Sequence, residues 1–424
     1  MMQAGNPTLK SNNYDNLENK GRGPMFKKIL KSYDYTLLAV VVLLCIFGLV
    51  MVYSSSMVMA VQYYGQSSDF FYEKQKTNLI ISAFVLIVVA LFPYKALMSN
   101  KILVPMVFLS IIGLSGLFII GTVAGNALSW FEVGTRSLQP AEFVKLSVII
   151  YLAAVYAKKQ PYINEFNRGV APPLAYLILV CMLIAVQPDF GTAAIIFLIA
   201  ATIIFASGMN YKNIFKLGLI GISILVPIVL LLREKIFSEK RLGRFEAFID
   251  PFGSEHGYQL SNSFISLGMG GLKGLGLGES VQKLGYLPEV HTDFIMAVIA
   301  EELGIFGVSF VLLGLGYIVL RGYYIGMKCK DPFGSLLAIG ISSMIGIQAF
   351  INLAGISGVI PLTGVTLPFI SYGGSSLLQM SIAIGVLLNV SMFVKYEEKY
   401  KHKAENPVPE SAPLYSSGAS IGRK

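Results

Sequence analysis

Ten apolar runs, each near the roughly 20 residues needed to cross a bilayer core, limit what this chain can fold into. They fall near 35–56, 77–93, 101–121, 141–157, 170–187, 191–207, 215–232, 294–320, 335–356 and 373–394. Of the 424 residues, 54% are hydrophobic and 13% charged, where globular domains carry about a quarter charged. A soluble core has no use for that much apolar sequence. The expectation is an all-α polytopic membrane protein of ten transmembrane helices, with a large extracytoplasmic loop at 233–293 between helices 7 and 8.

Short cytoplasmic loops concentrate lysine and arginine. Lys27, Lys28 and Lys31 precede the first run. Lys95 and Lys101, then Lys158, Lys159 and Arg168, then Lys212 and Lys216, then Arg321, Lys328 and Lys330, and finally Lys395, Lys399, Lys401 and Lys403 fall on alternate loops. Both termini are accordingly assigned to the cytoplasmic side. The membrane domain occupies 31–400, between tails at 1–30 and 401–424 expected to be disordered, the second carrying Pro407, Pro409, Pro413 and a cluster of serines. The first run reads as a retained anchor rather than a cleaved leader. The net charge of +9 fits contact with anionic membrane lipids. No basic stripe with interleaved aromatics suggests nucleic acid, and no nucleic-acid role is assigned. Cys45, Cys181 and Cys329 are too scattered for a disulfide framework or a metal site.

Unusual chemistry gathers on the outer loops, 57–76, 122–140, 187–191, 233–293 and 357–372. His291-Thr292-Asp293 ends the longest and runs directly into Phe294-Ile295-Met296. A carboxylate at an apolar boundary is costly to desolvate, which raises its pKa and makes it a better proton acceptor. Asp is equally a favoured helix N-cap, and these residues alone leave both roles open. On the following helix Ala297, Ala300 and Gly304 stay within roughly 40° of the aspartate's direction, a small-residue stripe suited to helix packing or to a lipid chain. Glu301 and Glu302 point away from it and read as buried braces. His256 and His291 lack zinc spacing and read as polar loop residues.

Gln187-Pro188-Asp189-Phe190-Gly191 makes a tight turn between spans, where Gln187 and Asp189 can brace the loops or touch a polar headgroup. After Gln139-Pro140, Glu142 and Lys145 share a helix face and can pair, as structure or against substrate. The long loop carries Arg233, Lys235, Lys240, Arg241 and Arg244, groups that grip a pyrophosphate or are simply solvated. Next comes the Gly268–Gly278 segment with Lys273, either a flexible surface loop or a set of amides for phosphate, though no Walker A motif is present. The uncharged stretch from Pro361 to Ser376, with Ser371 and Gly373, puts irregular backbone at membrane depth, where it must be buried or line a wet cavity. It points to a cavity shared with Asp293.

Val50-Met51-Val52-Tyr53-Ser54-Ser55-Ser56, the Gln187–Thr192 turn, His291-Thr292-Asp293-Phe294 with Glu301-Glu302-Leu303-Gly304, and Pro361–Ser376 occur in order across nearly the whole membrane domain. Together they resemble the SEDS family of FtsW, RodA and SpoVE, the FtsW branch most of all through the first motif and Asp69-Phe70-Phe71-Tyr72. The resemblance implies a peptidoglycan glycosyltransferase that polymerises lipid II into glycan strands at the outer face of the bacterial cytoplasmic membrane during cell division, at the septum. It also implies a class B penicillin-binding protein and other divisome membrane proteins as partners. By the same resemblance Asp293 is the essential residue, and Glu142 with Lys145 matches a pair that matters in the family. Where many members have Arg-Trp this chain has Ser129-Trp130, and no arginine role passes to position 129.

The chemistry accommodates these residues. The 4-hydroxyl of an acceptor sugar attacks the anomeric carbon of the donor, Asp293 takes the proton, and the lipid pyrophosphate leaves. Glycosidases need a second carboxylic acid for a poor leaving group, whereas pyrophosphate departs as an anion and needs cationic help. Lys145, Arg241, Arg244 or a divalent cation such as Mg or Mn, at a site the sequence does not identify, would supply it, and single displacement inverts the anomeric carbon. A lipid II flippase and a noncatalytic division scaffold are the rival readings. Scarce charge within the spans weighs against the flippase.

Overall fold

The computed structural model describes residues 27–401 apart from 125, 126, 135, 167, 168, 170 and 232–237. Most of both tails, Arg168, Arg233, Lys235 and Lys403, and the side chains of Lys240 and Lys401, lie outside the described residues. The described residues form two compact units, one within 34–390 and the other of 27–33 with 391–401. In the second, Ser32 Oγ donates to Lys28 O at 2.8 Å and Lys395 Nζ to Tyr33 O at 3.5 Å.

The helices follow in order as α1 (Tyr35–Gln62), α2 (Phe70–Leu91), α3 (Asn100–Ile120), α4 (Pro140–Lys158), α5 (Ala171–Val186), α6 (Phe190–Ala206), α7 (Tyr211–Leu231), α8 (Glu239–Ile249), α9 (Tyr258–Gly270), α10 (Ile295–Lys328), α11 (Pro332–Ile356) and α12 (Gly374–Tyr396). Among the described residues seven of them, α1 to α4 and α10 to α12, are long and apolar enough to cross a membrane, and α5 and α6 contain shorter apolar helices. Their starts follow ordinary capping chemistry. Asp34 accepts from Leu37 N at 3.4 Å, Asp189 from Thr192 N at 3.1 Å and Asp331 from Gly334 N at 3.2 Å. Ile80, Phe84 and Ile87 on α2, and Leu109, Ile112 and Ile119 on α3, are exposed. Apolar residues in such number on outward faces fit a lipid solvent rather than water. Helix α11 is buried along most of its length, with α4, α6 and α10 packed around it.

The fold is mostly helical, as expected, with one small sheet besides. The segment between α3 and α4 holds a three-stranded antiparallel sheet, β1 (Thr122–Ala124), β2 (Ala127–Val133) and β3 (Arg136–Leu138). Thr122 faces Trp130, and Phe131 faces Leu138. Aromatic and β-branched residues in Trp130-Phe131-Glu132-Val133 favour extended backbone, and Gly134 at φ +63° supplies the left-handed turn that a tight hairpin requires. The outer loop expected at 57–76 also shrinks to 63–69, because α1 runs on to Gln62 and α2 begins at Phe70.

Between α7 and α10 the described residues hold α8 and α9, and α9 packs on α10. Helix α10 is broken at Gly304, which sits at φ +60° and ψ −149°. A Cβ there would stand 2.5 Å from Gly274 N, so only glycine lets the two backbones meet. The break deprives the preceding carbonyls of their helical donors. Leu275 N and Gly276 N replace them, donating to Glu301 O and Glu302 O at 2.9 Å each, while Ile305 N donates to Leu272 O at 3.3 Å.

Candidate active site

Asp293 stands one residue before the cap of α10. Phe294 occupies the cap position and no side chain caps the helix, so this carboxylate, unlike those of Asp34, Asp189 and Asp331, is not engaged in capping. Thr292 N and Phe294 N both donate to Glu289 O, at 3.1 and 3.2 Å, with Glu289 at φ +56°, a conformation that non-glycine residues seldom hold. The Thr292 hydroxyl lies between two carboxylates, 2.7 Å from Glu289 Oε2 and 3.2 Å from Asp293 Oδ1. On the other side a Cβ added to Gly364 would come 3.8 Å from Asp293 Oδ2. Asp293, Asn352, Thr363 and Gly364 line a cleft of about 10 Å³, room for about one water. Burial first, then the charge of exposed Glu289, raises the half-buried Asp293 carboxyl to a pKa of about 7, opposed by its own amide, by Thr292 and by Arg244. A carboxylate poised near neutrality suits proton abstraction near neutral pH.

A second polar cluster lies on α4. Lys145 Nζ is 2.9 Å from both carboxylate oxygens of Glu142, aligned for a hydrogen bond with Oε1 only, and 2.7 Å from Gln348 Oε1. Gln348 Nε2 donates onward to Thr366 O at 3.2 Å. All three side chains are buried, so removing one partner would strand a charge without compensation. Asp189, whose pKa burial raises and Lys145 lowers, lies in the field of the same pair.

The remaining residues singled out in the sequence divide into braces and exposed groups. Gln187 Nε2 donates to Leu114 O at 2.7 Å, and Gln187 O accepts from Leu128 N at 3.3 Å, tying α5 to α3 and β2. Arg241 Nη2 donates to Pro188 O at 2.9 Å with its guanidinium 4.6 Å from the Phe190 ring centre, which docks α8 on the α5–α6 turn. Burial, then Arg244, lowers the pKa of Arg241. Arg244 is exposed, and its positive charge reaches Asp293. Ser371 Oγ accepts from Leu367 N at 2.8 Å, and Gln75 grips Ser371 O and Gly373 N at 3.3 and 3.4 Å, fastening the loop between α11 and α12 to α2. Lys273 is exposed on the glycine-rich segment. There the amides of Gly274, Leu275 and Gly276 are engaged by Gly270, Glu301 and Glu302, which removes the phosphate cradle from that stretch.

The stripe of Ala297, Ala300 and Gly304 is filled by protein rather than lipid. A Cβ on Gly270 would collide with Ala300 O, and Ser266 Oγ donates to Ala297 O at 3.2 Å. Glu301 accepts from Ser266, Ser280, Val281 N and Gln282 N, at 2.7, 2.7, 2.8 and 3.3 Å. Glu302 pairs with Lys283 at 2.7 Å and accepts from Ser54 of α1.

The structure thus brings Asp293 together with the loop at 361–373 and within reach of the charge of Arg244, and it joins Glu142 and Lys145 to the same loop through Gln348. Sequence reading passed over Gln348 and Asn352. Four apart in an apolar helix, the two amides share a face, and polar groups at membrane depth are a signal in themselves. His291, expected to be a polar loop residue, is buried 4.4 Å from the ring of Phe71 and 5.5 Å from that of Tyr372. Burial lowers its pKa to about 4, which keeps it neutral at pH 7. Among the described residues no three His, Cys, Asp or Glu side chains gather as metal ligands.

Comparison with known proteins covers nearly the whole molecule. A family model described as Cell cycle protein, FtsW/RodA/SpoVE, matches residues 35–396. Over 384 residues, 89% of this chain and 95% of the relative, it is 59% identical to the probable peptidoglycan glycosyltransferase FtsW of Bacillus subtilis. It is 39% identical to stage V sporulation protein E of the same organism over 369 residues, 86% of this chain and 98% of that one. Two solved structures share the fold. One is a chain from a peptidoglycan synthase complex that coordinates polymerization and crosslinking, with TM-score 0.68, 23% identity and coverage of 85% and 98%. The other is the rod shape determining protein RodA of Thermus thermophilus, with TM-score 0.60, 22% identity and coverage of 85% and 96%.

Proposed function

The chain belongs to the FtsW/RodA/SpoVE family of cell cycle proteins, and from that membership we propose that it is a peptidoglycan glycosyltransferase polymerising lipid II at the outer face of the bacterial cytoplasmic membrane. Ten spans with both termini cytoplasmic, work at the division septum, and partnership with a class B penicillin-binding protein and other divisome membrane proteins belong to the same proposal. The observation that carries it is Asp293. Its carboxylate caps nothing, faces a cleft, and has its pKa raised to about 7.

Asp293 acts as general base. It takes the proton of the acceptor 4-hydroxyl as that oxygen forms its bond to the anomeric carbon, and the bond from that carbon to the lipid pyrophosphate breaks with inversion. Positioned bases contribute about 10²–10⁴-fold. Lys145 is held by Glu142 and Gln348, and Arg241 by Pro188, so stabilising the departing anion falls to Arg244. Asp293 with nearby Glu289 falls short of a complete protein cage for Mg or Mn, and such an ion enters the proposal only as one carried by the pyrophosphate. The lipid tail has a place as well. An apolar cavity of about 490 Å³ between α6, α10 and α11, lined by Ala194, Leu198, Ile347 and Phe350 among others, shares Thr363 with the cleft of Asp293.

The test is reconstitution of the full chain in vesicles with lipid II, with and without its transpeptidase partner. Glycan polymer made by the wild type and lost in Asp293→Asn is the expected result. Polymer at the wild-type rate from Asp293→Asn overturns the role of the base, and lipid II translocation without polymer from the wild type overturns the activity.

A further inference from the structure

One polar side chain lining the cleft beside Asp293 takes no part in the chemistry above. Asn352 on α11 is 2% exposed, and its Nδ2 donates to Asp293 O and to Val365 O, each at 2.7 Å. Two carbonyl partners fix the orientation of the carboxamide, since the flipped amide would set its oxygen against both. Oδ1 is then buried without a hydrogen-bond partner, on a residue that lines the cleft with Asp293, Thr363 and Gly364. Buried polar groups are nearly always paired, and an exception calls for a function or a bound group. Gln348, one turn earlier on the same face, is engaged at both ends: its oxygen accepts from Lys145 and its nitrogen donates to Thr366 O. The unpaired oxygen belongs to the amide beside the candidate base.

We propose that Asn352 is a positioning residue for glycosyl transfer, its amide nitrogen fixing Asp293 against the outer loop and its free oxygen accepting a hydrogen bond from the acceptor saccharide. This rests on the lipid II reading. A sugar whose 4-hydroxyl meets Asp293 carries further hydroxyls on the same ring, and these are donors. A cleft of about 10 Å³ has room for one such group and no more. The same side chain therefore sets where the base stands and which ring orientation delivers the hydroxyl to it. Val365, held by the same nitrogen, makes the outer loop part of that alignment.

The test uses the full chain in vesicles and two variants. Polymerisation rates are measured in the Asp293-intact protein, and lipid II binding is measured in an Asp293→Asn background that does not turn over. Asn352→Ala removes both halves of the amide. It is expected to lower kcat about 100-fold, as misplacement by about an ångström does, and to weaken lipid II binding about tenfold, as loss of one hydrogen bond does. Asn352→Asp keeps an oxygen but loses the donor, so kcat falls comparably while binding stays within about twofold of wild type. Wild-type kcat and binding in Asn352→Ala overturn the proposal. So does an equal loss of binding in both variants together with a lowered melting temperature, the pattern of a packing role. An inactive Asp293→Asn beside a fully active Asn352→Ala removes only this inference, whereas an active Asp293→Asn removes the general base itself.

Discussion

The two ends of one helical segment, residues 295–303, treat carboxylates in opposite ways. At its far end Glu301 and Glu302 are fully buried and richly paired, the first by two serines and two amides, the second by Lys283 and Ser54. At its start Asp293 is half-buried, receives one weak hydroxyl bond beside its own amide, and faces a like charge on Glu289. Saturation holds a carboxylate fixed, which makes a brace. Undersaturation at an apolar boundary leaves a carboxylate ready to take a proton, which is what the proposed base requires. The brace supports the proposed base: Glu301 and Glu302 clamp residues 266–283 to the broken helix, and that steadies the helix before which Asp293 stands.

Substitutions at the two ends should therefore fail differently. Asp293→Asn is expected to reduce polymerisation by about 10²–10⁴-fold with no loss of folding. Its melting temperature should match or exceed that of the wild type above pH 7, because a carboxyl whose folded pKa is raised loses stability as pH climbs through that value. Lys283→Met strands Glu302 in the interior and is expected to destabilise the protein by about 3–5 kcal/mol, read by thermal unfolding in detergent, with activity falling only as folded protein is lost. Replacing both members, Lys283→Met with Glu302→Leu, should recover most of that stability. Arg244→Ala, removing an exposed cation, is expected to slow polymerisation about tenfold, less than the ~10²–10³ of a buried oxyanion donor, with the melting temperature unchanged.

Much of this was legible in the sequence because lipid imposes a single rule, long apolar helices, and the helix positions follow the apolar runs. The run at 294–320 became Ile295–Lys328, and that at 335–356 became Pro332–Ile356. What the apolar count could not carry was structure between the long helices, where the sheet of β1 to β3 forms by pairing rather than by hydropathy. Asp293 stood out as a charge at an apolar edge. Its freedom from capping did not, since that depends on Phe294 taking the cap. The glycines at 268–278 read as a flexible surface loop or as amides for phosphate, yet several serve a break in another helix that only the folded chain brings near. Asn352 and Gln348 were hidden because single amides in an apolar helix acquire meaning from the carbonyls opposite them.

The central claim is that Asp293 is a general base whose pKa has been lifted to about 7 by burial and by Glu289. Its most direct test is the initial rate of lipid II polymerisation between pH 5 and 9 in wild type and Glu289→Gln. The rate should rise with pH through about 7 as the carboxyl loses its proton, and Glu289→Gln should move that midpoint to lower pH by removing the like charge. A profile that is flat across the range, or one whose midpoint is indifferent to Glu289, would contradict it.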